Sequence, residues 1–285
     1  MGDVRKEKTI VFANHAEYES VKNILENDVN FASTRKVIHT FNDTGKSITY
    51  LTEEITPENE DTDRTKVLLL FKNPHPDSVA AGLFLSEPHS QIFWNRLFEV
   101  DYNRSLLPLL NGSDWISGVA NTLLSGKYDS PFLYYFRCLY PFPTRQFADL
   151  QKLFAGAPLT YKREMLDRSL IELMAYVKRH GIKHIIVFFK DAVELLGCRA
   201  LPTSINAVTA AKKGIDQAIA QGDDSLFWQQ NRGFRQKTKD GLWIYLNMNT
   251  RAKNHGTHLP KRYFTYNLEF ILKDILKNSL NQNCQ

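Results

Sequence analysis

Cysteine is scarce in this chain. The 285 residues hold only Cys138, Cys198 and Cys284, far apart and in no CxxC or Cys/His ligand spacing. That excludes a disulfide scaffold, a zinc site and an iron–sulfur cluster as the organising feature. Long hydrophobic runs are also missing, since no apolar stretch approaches the roughly 20 residues that a membrane span needs. The opening MGDVRKEKTI has no apolar signal core, and position 6 is Lys rather than the Ser or Thr of a myristoylation pattern. The expectation is an intracellular protein (cytoplasm or nucleoid, or nucleus) with no membrane partner, acting as a monomer without metal or cofactor.

What is present is the composition of an ordinary globule, 43% hydrophobic and 24% charged. The length suits one large α/β domain with additions, or two small ones. The formal charge of +5 is unevenly spread. From Arg199 onward 13 Lys and Arg face 6 Asp and Glu, whereas the preceding part carries 23 against 25. A basic C-terminal third suits a polyanion such as nucleic acid, and equally a merely solvated basic surface.

The chain is organised around Val67-Leu68-Leu69-Leu70-Phe71, an unbroken apolar run of the kind buried on both faces of a parallel sheet. Further strands are expected to start at about 132, 184 and 242 on the same reasoning. The segments between them read as helices; Leu166, Leu170, Leu173, Met174 and Val177 fall on one helical face. Residues 1–65 read as an N-terminal extension with a helix and short strands, closing in an acidic linker; residues 66–285 form the main domain. The expected fold is an α/β three-layer sandwich around a central, mostly parallel, four-stranded sheet.

In such a sheet ligands bind at the loops leaving the carboxyl ends of the strands. After Phe71 comes Lys72-Asn73-Pro74-His75-Pro76, then Asp77 and Ser78 able to cap a helix, Gly82 to stop it, Pro88, and the pair Phe93-Trp94. This ordered set resembles the first motif of the uracil-DNA glycosylase superfamily, nearest its mismatch-specific thymine/uracil branch. The match covers roughly thirty residues. It departs at His75, where that family has glycine.

The resemblance implies hydrolysis of the N-glycosidic bond of uracil or a related damaged base in DNA, by a monofunctional enzyme without a cofactor. Asn73 would position the water, with a second contribution from Asn249, which stands where the family usually has the histidine of a His-Pro-Ser motif. His75, Phe84, Leu85, Tyr134 (or Tyr135) and His255 would form the base pocket. An ordinary reading stands beside each: Asn73 as a loop cap, His75 as a hydrogen-bonded loop residue, the tyrosines as core.

A base has to be flipped out of the duplex to be reached. Leu259 is the candidate wedge, with Arg251, Lys253, Lys261 and Arg262 as phosphate clamps. Phe227 to Lys239 interleaves aromatics with Arg232 and Arg235, a pattern suited to stacking unpaired bases or to a basic turn before a strand. Two rivals remain: a non-catalytic nucleic-acid-binding relative, and an α/β enzyme on a small nucleoside or phosphate substrate.

Overall fold

The computed structural model describes residues 3–60, 63–87, 90–201, 207–247, 253–254, 257–258 and 260–282. The N-terminal segment supplies β1 (Arg5–Val11), β2 (Ile38–Asn42) and β3 (Ser47–Ile55), with α1 (His15–Asn27) and α2 (Ala32–Arg35) between the first two. Asn14 caps α1, its side chain accepting from the Glu17 N–H at 2.9 Å. β4 (Thr65–Phe71) leads to α3 (Pro76–Ala81), α4 (Ile92–Phe98) and α5 (Trp115–Ser125), then β5 (Phe132–Cys138). After it come α6 (Phe147–Leu153), α7 (Pro158–Thr160) and α8 (Arg168–Arg179). β6 (His184–Val187) precedes α9 (Asp191–Leu195), α10 (Ala207–Gln221) and α11 (Ser225–Gln230). β7 (Arg235–Lys237), β8 (Trp243–Leu246), the short hairpin β9 (Lys253–Asn254) and β10 (Thr257–His258), and α12 (Lys261–Gln282) complete the chain.

The four apolar runs lie side by side as β5-β4-β6-β8, all parallel. Their register sets Val67 opposite both Tyr134 and His184, and His184 opposite Trp243. The sheet does not stop there. β3 adds antiparallel to β5 through Glu54–Arg137 and Ile55–Phe136, β1 and β2 both pair with β3, and β7 adds antiparallel to β8. The sheet is therefore mixed and eight-stranded, not four-stranded. Because the alternation in 47–55 is weak, that stretch reads as an edge strand; it lies instead inside the sheet, between β1 and β5, and is largely buried.

Alternation along the parallel strands sends side chains to two separate cores. Leu68, Leu70, Leu133, Tyr135, Ile185 and Val187 pack with α1, α6, α8 and α10. Val67, Leu69, Phe71, Tyr134, Phe136 and Ile186 pack with α4, α5 and α12. Helices on both faces are what double-sided apolar strands require. One helical expectation fails locally. Tyr161–Asp167 is a π-helix, whose extra residue per turn shifts the phase, so Leu166 turns outward (37% exposed) while Leu173 and Val177 stay buried. Among the described residues no helix is long and apolar enough to cross a membrane.

Candidate functional site

The four parallel strands bring the carboxyl ends of β4, β5, β6 and β8 to one edge of the sheet. The turn after β4 is stitched to the one after β5. Leu139 and Tyr140 donate their N–H groups to the carbonyls of Phe71 and Lys72, both at 2.8 Å, and Thr144 donates to Pro74 O at 3.1 Å. Asn73 completes the seam. Its Nδ2 donates to Thr144 O at 2.9 Å, to Thr144 Oγ1 at 3.0 Å and weakly to Pro74 O at 3.4 Å. Thr144 Oγ1 passes its own hydrogen to Gln146 O at 2.8 Å. The amide hydrogens of Asn73 are thus occupied, while its Oδ1 makes no hydrogen bond among the described residues. The arrangement holds the amide in one orientation and presents an acceptor.

His75 is the N-cap of α3, its Nδ1 accepting from the Asp77 N–H at 3.3 Å. Pro76 follows at the first helical position, where a missing N–H costs nothing. The cap therefore falls on His75 rather than on Asp77 or Ser78, and Ser78 is instead buried with its hydroxyl donating to Glu87. Gly82 ends the helix as expected, at φ 81°. Leu85 also sits at positive φ, 53°, which costs a non-glycine residue about 1 kcal/mol or more.

Beneath the turn the space is filled by aromatic rings. Phe188 stacks on Phe71 with centroids 4.7 Å apart and planes 2° apart, Phe136 stacks on Phe71 at 6.3 Å, and Phe264 stacks on Phe188 at 6.2 Å. Phe93 meets Phe71 edge-on at 5.4 Å. Phe84, expected in the base pocket, is 1% exposed and wedged against Phe71 and Phe136, each 5.7 Å away. Tyr134 is not brought to this edge. It lies opposite Val67, four residues below Phe71 on a strand rising about 3.3 Å per residue. Its buried hydroxyl donates to Asn103 Oδ1 at 3.0 Å, which makes it a core residue. Tyr135 faces the other core and donates to Glu60.

The partner segment after β8 begins at the same edge, two strands from β4. Asn247 is buried and donates its N–H to Val187 O at 2.9 Å. Asn249, Arg251, His255 and Leu259 lie outside the described residues, as do the side chains of Lys253 and Lys261. Arg262 is exposed, its guanidinium 5.3 Å over the Tyr263 ring. Arg232 and Arg235 stand elsewhere, in a cleft beyond the edge strand.

Sequence reasoning missed three residues here. Thr144 and Phe188 act across long chain separations. Glu53 is the third: one step along β3 from the Glu54–Arg137 pair, it comes alongside Cys138 at the same edge of the sheet. It is 3% exposed, and its Oε2 has no hydrogen-bond partner among the described residues. Burial, and then the charge of Glu87, hold its carboxyl well above the usual range. Burial likewise raises the thiol of Cys138. The one available signal was phase, since Glu53 is in step with the inward-facing Ile55.

Among the described residues no group of three or more His, Cys, Asp or Glu could hold a metal ion. No protein-family model matches the chain. A search of curated proteins returns no match either.

Proposed function

We propose that this chain is a uracil-DNA-glycosylase-like protein of base-excision repair. On this reading it hydrolyses the N-glycosidic bond of uracil, or of a related damaged or mismatched base, as a monomer working on DNA. The observation that carries the reading is Asn73: at the carboxyl end of a central strand, its Nδ2 is tied to Thr144 and its Oδ1 is left to accept from a water. In the reaction the water oxygen bonds to the anomeric carbon, the carbon–nitrogen bond breaks with its electron pair leaving on the base, and the proton lost by the water ends on that base. Charge builds positive on the sugar and negative on the base, so donors facing the base carbonyls lower the barrier. Backbone N–H groups around His75 are the candidates for that task, with Leu85 the remaining candidate to cover the base. An asparagine orients the water without taking its proton, which suits a slow enzyme. The glycosylase-like form of the sandwich belongs to the same proposal, supported by the four parallel strands and by helices on both faces.

The ring stack favours a second reading. Phe188 lies flat on Phe71 where a flat base would need room, as in a relative that binds nucleic acid without excising a base. One assay separates the two: alkali-induced strand cleavage of an oligonucleotide carrying uracil opposite guanine, run with wild type and Asn73→Ala. The glycosylase reading expects cleavage by wild type and a loss of about 100-fold in the variant with DNA affinity retained. DNA binding without cleavage by wild type leaves the binder. An equal rate in the variant removes Asn73 from the mechanism.

A further inference from the structure

Beyond β8, between the α10–α11 connection and the middle of α12, lies a cleft of about 710 Å³. Trp228 and Phe270 form its apolar wall, and Arg232, Arg235, Lys273 and Lys277 its basic one. Three carboxylates are also present, and each is spent inside the protein. Asp274 takes Arg235 and accepts from Asn278 at 2.8 Å and from the Tyr245 hydroxyl at 3.2 Å. Asp224 takes Lys273. Asp223 accepts from the Ser225 N–H and hydroxyl, both at 2.9 Å. Arg232 and Lys277 are exposed and form no ion pair among the described residues. The Arg235 guanidinium, held by Asp274, lies 5.0 Å over the Trp228 ring and fixes the indole in place. The cleft therefore combines a half-buried aromatic face with two exposed cations held in no ion pair among the described residues, of which Lys277 adds to the Ser225 hydrogen bonds in lowering the pKa of Asp223.

Its place in the fold gives it a direction. α12 starts at the carboxyl edge, where Phe264 stacks on Phe188, and runs back until the Ser279 hydroxyl is 3.4 Å from His184 at the opposite edge. Lys277 is thirteen residues beyond Phe264, or about 20 Å at the helical rise. That span equals about six nucleotides of a stacked strand.

We infer that this cleft is a second nucleic-acid station, which binds the single-stranded segment flanking the nucleotide held at the carboxyl edge. Arg232 and Lys277 take phosphates, and Trp228 takes a base face. The inference rests on the nucleic-acid reading above and adds where the strand runs.

The test uses the full chain and a fluorescein-labelled 20-nucleotide oligo-dT, followed by anisotropy over a range of salt concentrations. Arg232→Ala/Lys277→Ala is expected to weaken binding about tenfold and to lower the salt slope by about 1.4, two single-strand phosphate contacts. Affinity for a trinucleotide, too short to reach from the edge to the cleft, is expected to stay within about twofold. Arg232→Lys/Lys277→Arg, which keeps both charges, is expected to restore the 20-mer affinity. Melting temperatures of both variants confirm folding. If wild type binds the 20-mer and the alanine variant binds it equally well with the same slope, the cleft is overturned and the edge reading stands. An equal loss on the trinucleotide also overturns the distal station. A wild type that binds no oligonucleotide overturns both.

Discussion

On the β1–β3 flank of the sheet, Arg137 reaches Glu54 at 3.4 Å and Glu172 at 3.8 Å, and lies 4.6 Å over the Tyr176 ring. Lys8 meets the same Glu172 at 2.5 Å, and Arg168 spans Glu172 at 2.8 Å and Glu164 at 2.9 Å. On the β7–β8 flank, Arg235 and Lys273 are in ion pairs, whereas Arg232 and Lys277 form none among the described residues. A cation whose carboxylate stands beside it projects little field, so the network around Arg137 offers less charge to a polyanion than the cleft beyond β8 does. The difference teaches that the surplus of +5 says little until each pairing is known. Around Arg137 the charges hold the protein to itself; around the cleft Arg232 and Lys277 form no ion pair among the described residues.

The sharpest way to break this contrast is Arg137→Ala. Its side chain is 12% exposed, so removal leaves Glu54 without its cation, while Glu172 keeps Lys8 and Arg168, and is expected to cost about 3 kcal/mol in chemical denaturation. Oligonucleotide affinity should stay within about twofold; a variant that keeps its stability but loses DNA would collapse the distinction between the flanks.

The two sides of the sheet should also answer pH in opposite directions. His184, on the β8 side of β4, has its pKa lowered to about 4 by burial and by Lys183. The unfolded chain takes up that proton below about 6.5 and the folded one does not. Stability is therefore complete above pH 6.5 and falls by up to about 3 kcal/mol as pH drops towards 4. His184→Gln should flatten that limb of a stability–pH curve; a limb of unchanged depth would assign the acid loss elsewhere.

Glu53, on the β3 side, works the other way. Its raised pKa keeps a proton in the folded state that the unfolded chain has released, so it lowers stability as pH rises above the ordinary carboxylate range. Glu53→Met is expected to raise Tm at neutral pH by at least about 2 °C, with little effect in acid. A fall in Tm at neutral pH would mean that the carboxylate has a partner worth keeping. The smallest expected effect is on the open flank, where Arg232→Ala or Lys277→Ala should shift stability by no more than about 0.5 kcal/mol. A larger loss would show that these cations serve the fold.

Much of this protein is legible along the chain. The runs beginning near 67, 132, 184 and 242 are strands because double-sided apolar stretches need cover on both faces, and each lies in the parallel core. Asn14 and Gly82 mark helix ends through local chemistry alone. The turn at Asn73 follows from its position after a central strand. Its partner does not, because Thr144 is 71 residues away and an Asn-Pro turn carries no mark of what its amide will meet.

The tertiary structure alone decided the rest. Weakly alternating strands in 5–55 joined the sheet because β5 had an open edge for β3. Tyr134 became core because register set it opposite Val67, far below the turn. Phe71, Phe136, Phe188 and Phe264 come from four separate segments, and only folding stacks their rings. Local sequence dictates which segments become strands and helices, since those preferences act over a few residues. Which side chains meet, and which cations stay unpaired, depends on contacts between distant segments, which no periodicity records.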